Sequence, residues 1–89
     1  MPNIASAKKR MRQDAVRRDR NRVRRSVLRT SLRKLNEAIE SGDMDVVRTT
    51  WRDTQSLLDR TAQNGVIHRN LAARKKARLS RRISQLESS

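Results

Sequence analysis

Thirteen of the twenty-seven residues from Lys8 to Lys34 are Lys or Arg, against two acids, Asp14 and Asp19. Arginine carries a planar fork of donors that binds phosphate oxygens in pairs, and lysine adds a compact point charge. No Gly or Pro interrupts the run, and both residue types favour a helix. On a helix, however, Arg18 meets Arg22 and Arg22 meets Arg25 at neighbouring positions, and each such like-charge pair is unfavourable by roughly 0.2–0.5 kcal/mol. The counter-charge has to come from outside the chain. A densely phosphorylated polymer supplies it best, and the arm is expected to be fully ordered only when bound.

Other chemistries find no footing. His68 is the sole His, standing beside Arg69 and Asn70; it has no companion ligands for a metal and no nucleophile to activate. It can cap a helix or donate to phosphate or ribose, and the sequence leaves both readings open. The carboxylate pairs Asp43 with Asp45 and Asp53 with Asp59 have no cleft in which to act, and Cys is absent. Neither enzymatic activity nor a cofactor nor a metal is expected. No apolar run approaches the roughly 20 residues of a membrane span. A membrane-surface helix needs a broad apolar face that the arm lacks. The basic start is followed by no apolar core of a secretory signal, and Asp14 and Asp19 argue against a transit peptide.

The elements that position these residues follow from the apolar pattern and from the uneven charge. The first 40 residues carry thirteen bases and four acids, residues 41–63 three and four, and residues 64–89 seven and one. The outer thirds thus suit a polyanion and the middle third suits packing. Helix one is predicted from Ala7 to Glu40, after an extended lead over Met1–Ser6 with Ser6 or Asn3 as its cap. Its apolar stripe, Leu28, Leu32, Leu35 and Ile39, is confined to the C-terminal half. Ser41, Gly42 and Asp43 form a turn, and helix two follows from Met44 to Gln63, with Val47, Trp51, Thr54 and Leu58 on one face. Asn64 and Gly65 stop it. Helix three is predicted over Ile67–Leu86, packing Ala72, Leu79, Ile83 and Leu86 and turning Arg74, Arg78 and Arg81 outward, with a frayed tail from Glu87. The fold class is all-α: a three-helix bundle with a long basic N-terminal helix extending beyond it. The 89 residues make a single domain, a basic arm over 1–24 and a bundle over 25–87.

A nucleic acid is the polyanion that this arrangement suits. The familiar DNA readers need a recognition helix behind a tight turn, a zipper or zinc ligands, none of which the sequence supplies. Single-strand readers need stacked aromatics, and Trp51, the only aromatic residue, falls in the core stripe of helix two. What is left is a reader of shape, its helices laid against the phosphates of folded RNA. An architectural DNA-binding protein shares the same charge logic, and a membrane-active basic helix is a third reading. On charge alone Arg12, Arg17, Arg18 and Arg22 of the arm and Arg78 of helix three are candidate contacts. Ser26, Thr30 and Asn70 are polar groups placed near bases, and the first two are expected roughly opposite the Leu28 stripe.

Several stretches resemble a known family, that of bacterial small-subunit ribosomal protein twenty. They are Asn3-Ile4-Ala5-Ser6-Ala7-Lys8-Lys9-Arg10, Arg25-Ser26, Arg29-Thr30, Ala38-Ile39 before Gly42-Asp43, and Gly65-Val66-Ile67-His68-Arg69-Asn70 with Ala72-Ala73-Arg74-Lys75-Lys76. Their order and spacing make the resemblance specific over nearly the whole chain. It implies a three-helix bundle in the cytoplasmic small ribosomal subunit that binds small-subunit ribosomal RNA directly and early in assembly. There it would bridge the 5′ domain and the long helix of the 3′ minor domain, as a monomer with few or no protein contacts. By motif match, Lys8, Lys9, Arg10, Arg25, Ser26, Arg29, Thr30, His68, Arg69, Asn70, Arg74, Lys75 and Lys76 would face RNA. Between Arg12 and Arg24 the chain is richer in Arg than the family pattern, and between Asp43 and Asn64 it matches mainly in pattern.

Overall fold

A computed structural model describes residues 4–88. Three helices account for the architecture: α1 (Ile4–Ser41), α2 (Met44–Gln63) and α3 (Arg69–Ser88), with no strand among the described residues. α1 begins three residues before the predicted start, because Ile4, Ala5 and Ser6 contain nothing that opposes a helix. Ser6 therefore lies inside α1 and does not cap it; Met1, Pro2 and Asn3 lie outside the described residues. α3 begins later than predicted, at Arg69, because His68 is its cap, and it continues through Glu87 to Ser88 rather than fraying after Leu86.

The connections use the residues that turns demand. At the end of α1, Gly42 takes the left-handed conformation (φ +77°) and its N–H reaches the carbonyls of Ala38 and Ile39 at 3.1 and 3.2 Å. Asp43 then caps α2, its Oδ1 accepting from the N–H of Asp45 at 3.2 Å and of Val46 at 3.4 Å. A cap of this kind contributes about 1 kcal/mol. α2 closes in a Schellman motif: Gly65 (φ +74°) donates to Ala62 and Val66 donates to Thr61. Both connections are short, so α2 runs antiparallel to each neighbour.

α2 is the central packing element. Leu35 and Ala38 of α1, Val47 of α2 and Leu79 and Ile83 of α3 form one buried cluster, against which Leu32, Ile39, Met44, Trp51 and Leu86 pack half-buried. A second cluster joins Leu28, Leu58 and Ala72, flanked by Leu57, Ala62 and Ile67. The predicted stripes thus all reach the core. One polar pair crosses it. Thr54, fully buried, gives its hydroxyl proton to the Thr50 carbonyl (2.8 Å), so Ser31 Oγ is the donor in the 2.8 Å bond that joins α1 to α2.

The bundle ends where α2 ends, and α1 does not. The described molecule measures 67 × 20 × 14 Å with a radius of gyration of 17.9 Å, against about 12 Å for a compact chain of this length. The excess is the N-terminal half of α1.

Candidate nucleic-acid interface

From Ile4 to Arg20 every side chain of α1 is exposed, and the first buried one is Leu28. Lys8, Lys9, Arg10, Arg12, Arg17, Arg18 and Arg22 together cover the whole circumference, since each residue advances the helix by 100°. Between Lys8 and Arg29 no base forms an ion pair among the described residues, although Asp14 and Asp19 stand within a turn of several. The arm therefore offers unpartnered cations on every side. A helix of that kind suits a groove walled by phosphates better than a flat surface.

A narrower feature continues along the bundle. Arg18, Arg22, Arg25, Arg29 and Arg33 recur at spacings of four and three residues, which puts them in one row about 22 Å long. Asn36 extends the same row, and its Oδ1 accepts from Arg82 Nη1 of α3 at 2.7 Å. The row thus lies on the flank of α1 nearest α3. On α3, Arg74, Arg78 and Arg81 form an exposed row away from the core, with half-buried Lys75 and exposed Arg82 on the side toward α1. Arg33 alone in the α1 row forms an ion pair among the described residues, with Glu37 at 4.0 Å, in a solvent-exposed contact of little consequence.

Other expected contacts lie elsewhere. Ser26 and Thr30 stand two residues either side of Leu28, on the opposite side of α1 as expected, and they also border a groove between α1 and α2 together with Lys34, Thr50 and Asp53. The reason is that α2 packs against the side of α1 adjoining the Leu28 stripe, as the Ser31–Thr54 bond shows. Arg69 and Lys76 line the groove between α2 and α3, where Lys76 Nζ is held by Asp59 Oδ1 at 2.9 Å. His68 is exposed and accepts the Asn70 N–H on its Nδ1 at 3.1 Å, while its carbonyl accepts from Ala72. The cap fixes the ring's hydrogen on Nε2, which leaves a donor free for a second task. Arg69 and Asn70 occupy the exposed first turn of α3 beside it.

Some residues of the interface belong to none of the expected contacts. Gln13, Arg20, Asn21, Arg24 and Asn64 join Arg12 and Arg17 around a concave corner between the arm and the C-cap of α2. The available signal was the stripe Leu35, Leu28, Arg24, Arg17, Arg10, which keeps one face of α1 while changing from leucine to arginine. Among the described residues no cluster of His, Cys or carboxylates could hold a metal, and no helix is long and apolar enough to cross a membrane.

Comparison with known proteins bears on what this cationic frame belongs to. A family model described as ribosomal protein S20 matches residues 2–84. The chain belongs to the ribosomal protein S20 family. It is 45% identical over 83 residues to small ribosomal subunit protein bS20 of Rhodopirellula baltica, covering 93% of this chain and 92% of that one. To the bS20 protein of Koribacter versatilis it is 51% identical over 83 residues, 93% of each chain. To that of Xylella fastidiosa strain 9a5c it is 45% identical over 87 residues, 98% of each. The S20 match spans both the arm and the bundle, so the long first helix belongs to the family pattern together with the packed core.

Proposed function

We propose that this chain is a structural, non-catalytic constituent of the small ribosomal subunit that binds small-subunit ribosomal RNA directly. Membership of the S20 family and the bS20 relatives support the ribosomal assignment. The observation that carries direct RNA binding is the run of bases from Lys8 to Arg29 without a single ion pair among the described residues. Three cationic zones make contact: the arm over residues 1–24, the arginine row through Arg25 and Arg29, and α3 with Arg74, Lys75 and Arg78. His68, Arg69 and Asn70 add donors at the start of α3. The arm enters one RNA element while the flank shared by α1 and α3, within the bundle of residues 25–87, rests on another. The chain thereby bridges the 5′ domain and the 3′ minor domain during assembly, as a monomer of the cytoplasmic ribosome with few protein neighbours.

Binding of the full chain to folded small-subunit RNA, titrated against salt, tests this reading. If six to ten phosphates are engaged, affinity falls by about a thousandfold or more between 50 and 200 mM salt. A flat salt response rejects phosphate neutralisation as the source of binding. Equal competition by duplex DNA at physiological salt transfers the chain to the architectural DNA-binding class.

A further inference from the structure

At the corner between the arm and the bundle, α1 and the α2 C-cap face a common space. Its volume is about 560 Å³, and four arginines, Arg12, Arg17, Arg20 and Arg24, line it with Gln13, Asn21, Asn64 and the apolar Val16, and with no carboxylate. The corner exists because α2 stops at Gln63 while α1 continues. The face of α1 that packs Leu28 and Leu35 inside the bundle then has nothing to cover it, and Arg24 and Arg17 occupy it. Asn21 Oδ1 accepts from Arg24 Nη1 at 3.4 Å, which draws that guanidinium along the wall of the corner. The side chains of Gln13 and Asn64 have no partner among the described residues.

We propose that this corner is a seat for a single RNA strand: a phosphodiester turn held by Arg17, Arg20 and Arg24, with Asn21 and Asn64 reading sugar hydroxyls or base edges. The inference rests on the RNA-binding reading above and specifies one site within it. Two physical points favour a strand over a duplex. A two-walled corner of small-ligand size admits a flexible backbone, whereas a double helix presents its phosphates over a broad convex surface. The amides provide both donors and acceptors, which suits the 2′-hydroxyl and splayed bases of single-stranded RNA. A strand seated there touches the arm and the end of the bundle at once and sets the direction in which the arm leaves.

The chain contains no Cys, so Gln13→Cys and Asn64→Cys each give one attachment point for a hydroxyl-radical probe. In complexes with folded small-subunit RNA, both probes are expected to cut the same unpaired stretch. Cuts in separate segments, or in a continuous duplex, overturn the seat. In parallel, Arg17→Gln, Arg20→Gln and Arg24→Gln together are compared with Arg18→Gln, Arg22→Gln and Arg25→Gln. The two sets remove the same charge from exposed positions, and helix content by circular dichroism checks that both variants fold. The corner set is expected to lose about tenfold more affinity at equal salt, the scale of one charged hydrogen bond. Equal losses reduce the corner to charge screening while leaving RNA binding intact; failure of the unaltered chain to bind RNA rejects both readings.

Discussion

Along a single face of α1, Leu28 and Leu35 are buried in the hub, while Arg10, Arg17 and Arg24 project beyond it. In the hub, polar groups find partners within the chain: Thr54 with Ser31 and Thr50, Thr61 with the Leu57 carbonyl, Lys76 with Asp59, Arg82 with Asn36. In the arm, the bases have no such ion pairs among the described residues. One continuous helix is therefore built in two ways, held by apolar burial at its C-terminal end and carrying bases without an internal ion pair at its N-terminal end. The arm's like charges oppose its helix and, on the reading proposed above, make it a ready binder. The hub fixes the direction in which the arm is presented.

The comparison is most severely tested by deleting residues 1–24, which removes nine of the twenty-three bases. Affinity for folded RNA is expected to collapse and the salt dependence to flatten, while unfolding of the remaining bundle in urea shifts by no more than about 0.5 kcal/mol, as for changes away from packed features. An unchanged salt slope would show that the arm does not carry the binding. The reciprocal change is Leu58→Ala in the second cluster, where the side chain is fully buried. It should destabilise the free protein by about 2–5 kcal/mol, enough to erase a cooperative transition in so small a core. Added RNA should restore that transition by mass action, since only the folded form binds well. The smallest and sharpest contrast is between adjacent lysines. Lys75→Gln is expected to lower the salt slope by about 0.7–0.9, the value of one phosphate contact. Lys76→Gln should leave the slope intact and cost the bundle at most about 1 kcal/mol, because its charge is already committed to Asp59 across a partly exposed seam.

The helical periods were plain in the sequence. Leu28, Leu35, Val47, Leu58, Leu79 and Ile83 fall at core spacing and all are buried. The stops were equally plain, because Gly42 and Gly65 each take a positive φ that other residues resist. The start of α3 was not, since Ile67 is apolar enough to read as helix and only the Nδ1 contact to Asn70 identifies His68 as the cap. The candidate interface was legible as a set of residue types. Its division was not: Ser26 and Thr30 went to the α1–α2 groove, and Arg69 and Lys76 to the α2–α3 groove.

What the sequence determined by itself is therefore local: where each helix runs, which face is greasy, and that the two outer thirds carry a charge the chain cannot neutralise. Those properties depend on neighbours within a turn or two, and spacing records them directly. The tertiary structure decided which bases stand together, which of them an acid from another helix has already claimed, and that the end of α2 leaves an arginine-lined corner beneath the arm. These depend on how far one helix outruns another and on the angle at which they pack, and such distances between residues remote in the chain exist only once the core has closed.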